Sequence, residues 1–156
     1  MTELDALDVR ILNILQENAR ITTLELAEQV GLSPTPCARR VKRLEDDGLI
    51  DRYVTLLDPK KAGLDLSVFI QVRLRNQTAE TIEKFDRSVR AMPEISECYL
   101  IAGVHDYLLH LRVADVEALR DFLRTRLTAI EGIAEAQSSI VLDTVKYTTA
   151  LTLSES

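Results

Sequence analysis

Four basic side chains, Arg39, Arg40, Lys42 and Arg43, stand close together, and no acidic residue lies between Glu28 and Glu45. Guanidinium and ammonium groups at this density suit a polyanion, because arginine and lysine pair with phosphates and with guanine edges. Counted at about 100° per residue from Cys37, the side chains of Cys37, Val41 and Leu44 point one way. Arg39, Lys42 and Arg43 point the other way, with Ala38 beside them and Arg40 on the flank. A helix with an apolar back and a cationic front has the form needed to enter a major groove. A solvated charged face is the ordinary alternative, and the residues just upstream weigh against it.

Those residues have turn chemistry. Gly31 falls where a helix end needs a residue tolerant of the left-handed conformation, and Ala27 is small enough for a second helix to cross closely. Ser33 or Thr35 can cap the next helix, and Pro34 or Pro36 can occupy its first turn, where a missing N–H costs nothing. This spacing suits a helix-turn-helix. The candidate DNA-binding residues are therefore Ser33, Pro34, Thr35, Pro36, Arg39, Arg40, Lys42 and Arg43, and any such binding should depend strongly on salt.

The elements that must hold this turn follow from periodicity. Leu4, Leu7, Ile11, Ile14 and Leu15 predict an amphipathic helix over residues 5 to 17. Thr22 and Glu25 form a capping box opening a second helix, with Leu26, Ala27 and Val30 inward. The third helix runs to Gly48. The following LIDRYVTLLDP favours extended structure, as the strand of a small wing or as an exit from the head.

From Leu66 the period changes to two, with Val68, Ile70 and Val72 on one face of a strand and Phe69 among polar neighbours on the other. Thr78 caps a helix carrying Ile82, Phe85, Val89 and Met92, and Pro93 stops it. ISECYLIA and YLLHLRV read as a hairpin around Gly103-Val104-His105-Asp106. Asp115 caps a helix with Val116, Leu119, Leu123 and Ile130 inward, and residues 133 to 148 read as a long last strand. The expectation is an α+β protein. Residues 1–60 form a winged or plain helix-turn-helix domain with a connecting strand, and residues 61–156 a ferredoxin-like βαββαβ sandwich. Helices cover one face of such a sheet, so the other face, with Phe69, is expected to meet a second copy.

Composition bounds the function. The chain has 156 residues, 46% of them hydrophobic and 28% charged, with a net charge of −6, so any polyanion must be met by the local cluster. No run of apolar residues is long enough to span a bilayer and the first residues are acidic, which predicts a cytoplasmic, nucleoid-associated protein without a membrane partner. Cys37 and Cys98 read as buried free thiols. His105 and His110, five apart, would face opposite sides of a strand and share no metal. No Ser-His-Asp order, phosphate-binding glycine loop or histidine–carboxylate signature is evident, so no catalytic residue, metal or cofactor is assigned. A sensor acting mainly through protein partners is the competing function.

The string RITTLELAEQVGLSPTPCARRVKRLEDDGLI, followed by Tyr53 and Leu57-Asp58-Pro59, resembles the head of the Lrp/AsnC ("feast/famine") family. ECYLIAGVHDYLLHLRV and SSIVLDTVKYTTALTL resemble its effector-binding domain. The resemblance covers nearly all of the chain, with SPTPC, Gly-x-x-Asp-Tyr and Val-Lys-x-Thr-Thr in order. It implies a sequence-specific DNA-binding transcription regulator, not an enzyme, that responds to a small amino-acid effector and whose homodimers assemble into larger discs, commonly octamers. It places the effector between dimers, at Gly103, Val104, His105, Asp106 and Tyr107, with Ser138, Ser139 and Asp115 as further wall residues. Many members carry an acidic residue directly after the glycine, where this chain has Val104.

Overall fold

Asp5 and Asp8 start the first helix by each accepting the other's amide, at 2.8 Å for the Asp8 N–H and 3.3 Å for the Asp5 N–H. This reciprocal cap opens α1 (Ala6–Glu17). Thr22 and Glu25 repeat the device for α2 (Thr23–Val30). Gly31, at φ 75°, turns the chain in the left-handed conformation that its type permits. α3 (Pro34–Asp46) begins with Pro34, where the ring needs no N–H partner. Ser33 is its cap by backbone conformation, but the hydroxyl makes no capping hydrogen bond.

The computed structural model describes residues 4–154. They divide into two units, residues 4–55 with 146–154 and residues 56–145. In the first, Ile11, Leu26, Ala27, Val30, Cys37 and Leu44 form the core, with Ile50 and Leu153 packed against it. The closing segment, read from sequence as the end of residues 61–156, lies against α1: Gln16 Oε1 accepts the Leu151 N–H at 2.6 Å, and its Nε2 donates to the Leu151 carbonyl. Residues 51–58 leave α3 without ladder pairing. Tyr53 donates its hydroxyl to Glu45 at 2.8 Å, and burial together with that bond pushes the phenol up to about 12.

The second unit is a four-stranded antiparallel sheet in the order β2-β3-β1-β4, from β1 (Leu66–Leu74), β2 (Ile95–Leu100), β3 (Tyr107–Val113) and β4 (Ile133–Ile140). α4 (Ala79–Arg90) follows β1, and α5 (Val116–Phe122) follows β3. The chain order βαββαβ and this strand order make the ferredoxin-like sandwich. Its core joins Val68, Ile70, Val72, Leu109 and Leu111 of the central strands to Phe85, Leu119 and Phe122 of the helices.

Four local expectations are corrected. The last strand stops at Ile140 because its partner β1 begins at Leu66: the Val141 N–H reaches Ser67, and beyond that no ladder remains. Cys37 is a buried free thiol as expected, but Cys98 is exposed because β2 is an edge strand. Val116 faces solvent. A π-type turn at Leu123–Leu127 follows α5 and shifts the inward stripe to Leu119, Phe122, Leu127 and Ile130. Phe85 is fully buried against Tyr107, ring centres 4.4 Å apart. Phe85→Ala should therefore lower unfolding free energy by about 3–5 kcal/mol in urea titrations followed by circular dichroism.

Candidate nucleic-acid interface and effector groove

The outer surface of α3 carries the first candidate site. Cys37 and Leu44 are fully buried and Val41 partly so, while Ser33, Thr35, Ala38, Arg39, Lys42 and Arg43 are exposed. The basic residues differ in their neighbours. Among the described residues Lys42 pairs only with Asp46 one turn on, at 3.2 Å, with both side chains mostly in water; such a pair adds about 0.3–0.5 kcal/mol and leaves the ammonium free to meet another anion. Arg40 donates to Asp5 at 2.7 Å and to Asp8 at 2.8 Å. Arg43 also donates to Asp8. The Asp8 amide and the Arg40 guanidinium hold the Asp5 carboxyl below the usual carboxylate range, and Asp5 and Asp8 in turn raise the guanidinium.

The wheel from Cys37 thus orients Arg39 and Lys42 but not Arg43, whose long side chain bends back to α1. Asp8 is absent from the residues that sequence reasoning singles out. Its signal is the Asp-x-x-Asp spacing ahead of an apolar run, a capping pattern.

At the other site, the loop after β2 closes onto the end of β1. The Asp106 N–H reaches the Val72 carbonyl at 2.9 Å and the Asp106 carbonyl accepts from Ile101 at 2.8 Å. The carboxylate is engaged on both oxygens, by the Leu74 N–H at 2.7 Å and the Gln77 amide at 2.6 Å. Beside it an open groove of about 530 Å³ is lined by Leu74, Gln77, Ile82, residues 100 to 103, Asp106 and Tyr107. Of the expected loop residues, Gly103, Asp106 and Tyr107 come together here with Leu74, Gln77 and Ile82, which the sequence does not single out. Val104 is 83% exposed and His105 half-buried; neither lines the groove. Tyr107 is buried and donates to Asp86 at 2.9 Å, so burial first and Asp86 second push its phenol up.

Gly103 needs no glycine for its own conformation, having no positive φ, and a Cβ there would meet nothing within 4 Å. Asp115 lies past the other end of β3, about 20 Å along the strand from the loop, and caps α5 through the Ala118 N–H. Ser138 and Ser139 are exposed on β4 opposite Ile70 and Phe69. Among the described residues no histidine, cysteine, aspartate or glutamate cluster could hold a metal ion, and no helix is long and apolar enough to cross a membrane.

Comparison with known proteins decides the family. The Lrp/AsnC ligand binding domain matches residues 67–151, and a winged helix-turn-helix DNA-binding domain matches residues 4–51. The chain belongs to the Lrp/AsnC family. It is 42% identical over 150 residues to the leucine-responsive regulatory protein of Haemophilus influenzae, covering 96% of this chain and 90% of that one. To the Escherichia coli K12 protein of the same name it is 40% identical, over 97% of this chain and 92% of the other. Among solved structures, a transcriptional regulator of Neisseria meningitidis in complex with L-Met superposes with a TM-score of 0.93 at 44% identity, over 96% of both chains. An AsnC family transcriptional regulator from Agrobacterium tumefaciens gives 0.91 at 40% identity, over 96% of this chain and 97% of that one. This Lrp/AsnC protein is a DNA-binding transcription regulator with a ligand-binding domain, and not an enzyme.

In this Lrp/AsnC chain Asp106 does structural work at the groove. Asp106→Ala leaves the buried Leu74 N–H without its acceptor and should cost about 1–3 kcal/mol, read as a lowered thermal midpoint.

Proposed function

We propose that α3 reads double-stranded DNA through Ser33, Pro34, Thr35, Pro36, Arg39 and Lys42, and that a small amino acid bound at the Asp106 groove adjusts this reading by changing how subunits assemble. The observation that carries the first part is the free outward side of α3, where Arg39 and Lys42 stand over a fully buried Cys37 and Leu44. Ser33 and Thr35 hold their hydroxyls at the positive end of the helix, where phosphate oxygens are favoured.

The effector reading rests on the groove. Leu74, Ile82, Leu100 and Ile101 offer an apolar wall for a side chain, while Gln77 offers an amide and the loop its backbone. A related regulator holds L-Met, and an aliphatic or thioether amino acid suits such a wall. Because Gly103 is required by nothing inside its own chain, its missing side chain is room for something from outside. Ser138, Ser139 and Asp115 do not line the groove of their own chain and are assigned to the wall that a neighbouring subunit contributes.

The partner is a second copy. The sheet face without helices shows Phe69, Leu108 and Tyr99 among Gln71, Glu97 and His110, a mixed surface that suits burial against itself. Homodimers paired this way, assembling to an octamer around the effector sites, bring several heads to one duplex and raise affinity by about 10²–10⁴ through linkage alone. Such a regulator works in the cytoplasm, on the nucleoid.

A mobility-shift titration on DNA upstream of the protein's own gene, with a panel of amino acids, tests both parts. One aliphatic or thioether amino acid should change apparent DNA affinity by about 5–150-fold, with the oligomer distribution moving in sedimentation. Arg39→Ala with Lys42→Ala should abolish the shift. Identical oligomers and affinities across the panel would sink the effector reading; a normal shift by the double variant would sink the α3 reading. Gly103→Ala should keep stability within about 0.5 kcal/mol of the parent yet weaken amino-acid binding in calorimetry.

A further inference from the structure

Among the described residues the head buries one carboxylate, that of Asp8, and the DNA-reading surface assigned above does not use it. Asp8 has 1% of its side chain exposed, although a capping residue in the first turn of a helix has no need of burial. Its two oxygens instead take two arginines of α3. Arg40 donates to Oδ1 and also to Asp5, and Arg43 donates to Oδ2. The basic residues of α3 therefore fall into two pairs, each three residues apart. Arg40 and Arg43 lie on the side turned to α1, while Arg39 and Lys42 lie on the side turned to water.

A guanidinium in this position is not equivalent to a free one. To reach a phosphate, Arg40 or Arg43 must leave Asp8, and a buried carboxylate stripped of its partner is strongly disfavoured. Binding at Arg39 or Lys42 carries no such cost. Each free cation that meets a phosphate adds to sequence-independent affinity and to its salt dependence, so withdrawing two of them lowers the background against which a specific site is recognised. The same ion pairs fix the tilt of α3 on α1, and with it the line along which Arg39 approaches a base edge.

We propose that Asp8 is a specificity-determining positioning residue: it holds Arg40 and Arg43 off the phosphate backbone and leaves Arg39 and Lys42 as the cations of α3 that meet the duplex. This rests on α3 being the DNA-reading helix.

The test is fluorescence anisotropy of the full chain on two labelled duplexes, one from its own upstream DNA and one a scrambled sequence of equal length, across a potassium chloride series. Arg39→Gln and Lys42→Gln should each flatten the plot of log affinity against log salt by about 0.9 for every phosphate no longer neutralised. Arg40→Gln and Arg43→Gln, which remove guanidiniums that Asp8 already holds, should leave the slope at the parent value whatever they do to affinity. Asp8→Asn, checked for folding by circular dichroism, should steepen the slope on scrambled DNA by about 0.9 for each freed guanidinium that finds a phosphate. It should also narrow the ratio between the two duplexes. If Asp8→Asn does not fold, the glutamine series decides alone. Equal flattening by all four glutamine variants, or a folded Asp8→Asn with the parent slope, overturns the clasp while leaving the helix as reader. A parent chain that binds neither duplex removes the reader and the clasp together.

Discussion

A carboxylate taken out of water has to be met by positive charge and hydrogen bonds, and this requirement at Asp8 governs how the head is put together. Burying Ile11, Leu26 and Leu44 supplies the adhesion, at about 1.5–3 kcal/mol for each side chain. Apolar packing, however, is tolerant of sliding and rotation. The ion pairs are more directional, because Arg40 and Arg43 each donate to a particular oxygen of the buried Asp8. The apolar core thus joins α1 and α3, and the Asp8 ion pairs add a directional tie between them. A helix that reads bases needs the second property more than the first, since small errors in tilt displace side chains from base edges.

The ligand-binding unit applies the same chemistry differently. On the open face of the sheet, His110 is buried without any helix above it, stacked on Phe69 with ring centres 4.6 Å apart. Ser67 lies 2.8 Å from its Nε2, and Ser96 and Glu97 lie 3.3 Å from its Nδ1. Glu97 also accepts from Tyr99 at 2.6 Å, and the Tyr99 hydroxyl first and His110 second keep its carboxyl low. His110, Ser67, Ser96, Glu97 and Tyr99 satisfy one another on this face, while among the described residues Gln71 and Arg112, which share it, have no side-chain partner and are left with Phe69 for another surface to meet.

How much of this is legible in the sequence depends on the range of the signal. The capping residues at Thr22 and Thr78, the left-handed turn at Gly31 and the alternation along β1 are local, and the structure repeats them. The exposure of Cys98 and the end of β4 at Ile140 depend on tertiary pairing, which places β2 at an edge and ends β4 where its partner β1 begins. The π-type turn after Phe122 adds a residue that no helical wheel foresees. At the sites the pattern is the same. Counting from Cys37 orients Arg39 and Lys42 correctly, but a wheel shows directions and not neighbours, so the hold of Asp8 on Arg43 lies outside it. The loop glycine and Asp106 are visible as a motif, whereas Leu74, Gln77 and Ile82 come to the groove only through the β1–β3 pairing.

If α3 is the DNA-reading helix proposed above, the grading of charge along its axis sets the end by which it meets the duplex. Glu45, Asp46 and Asp47 are exposed at its C-terminal end, where the helix dipole is also negative, so phosphates are repelled there. The N-terminal end carries no acid, and its first turn holds Pro34 and Pro36, each without an N–H. The Cys37 amide is taken by the Ser33 carbonyl. The first turn therefore keeps the Thr35 amide as its free backbone donor, with the Ser33 and Thr35 hydroxyls beside it. At physiological salt, fields are screened within about 8 Å, so the net charge of −6 matters less than this gradient. An acidic protein can present a reading helix to a polyanion when the helix enters by its positive end, with its acids about three turns behind.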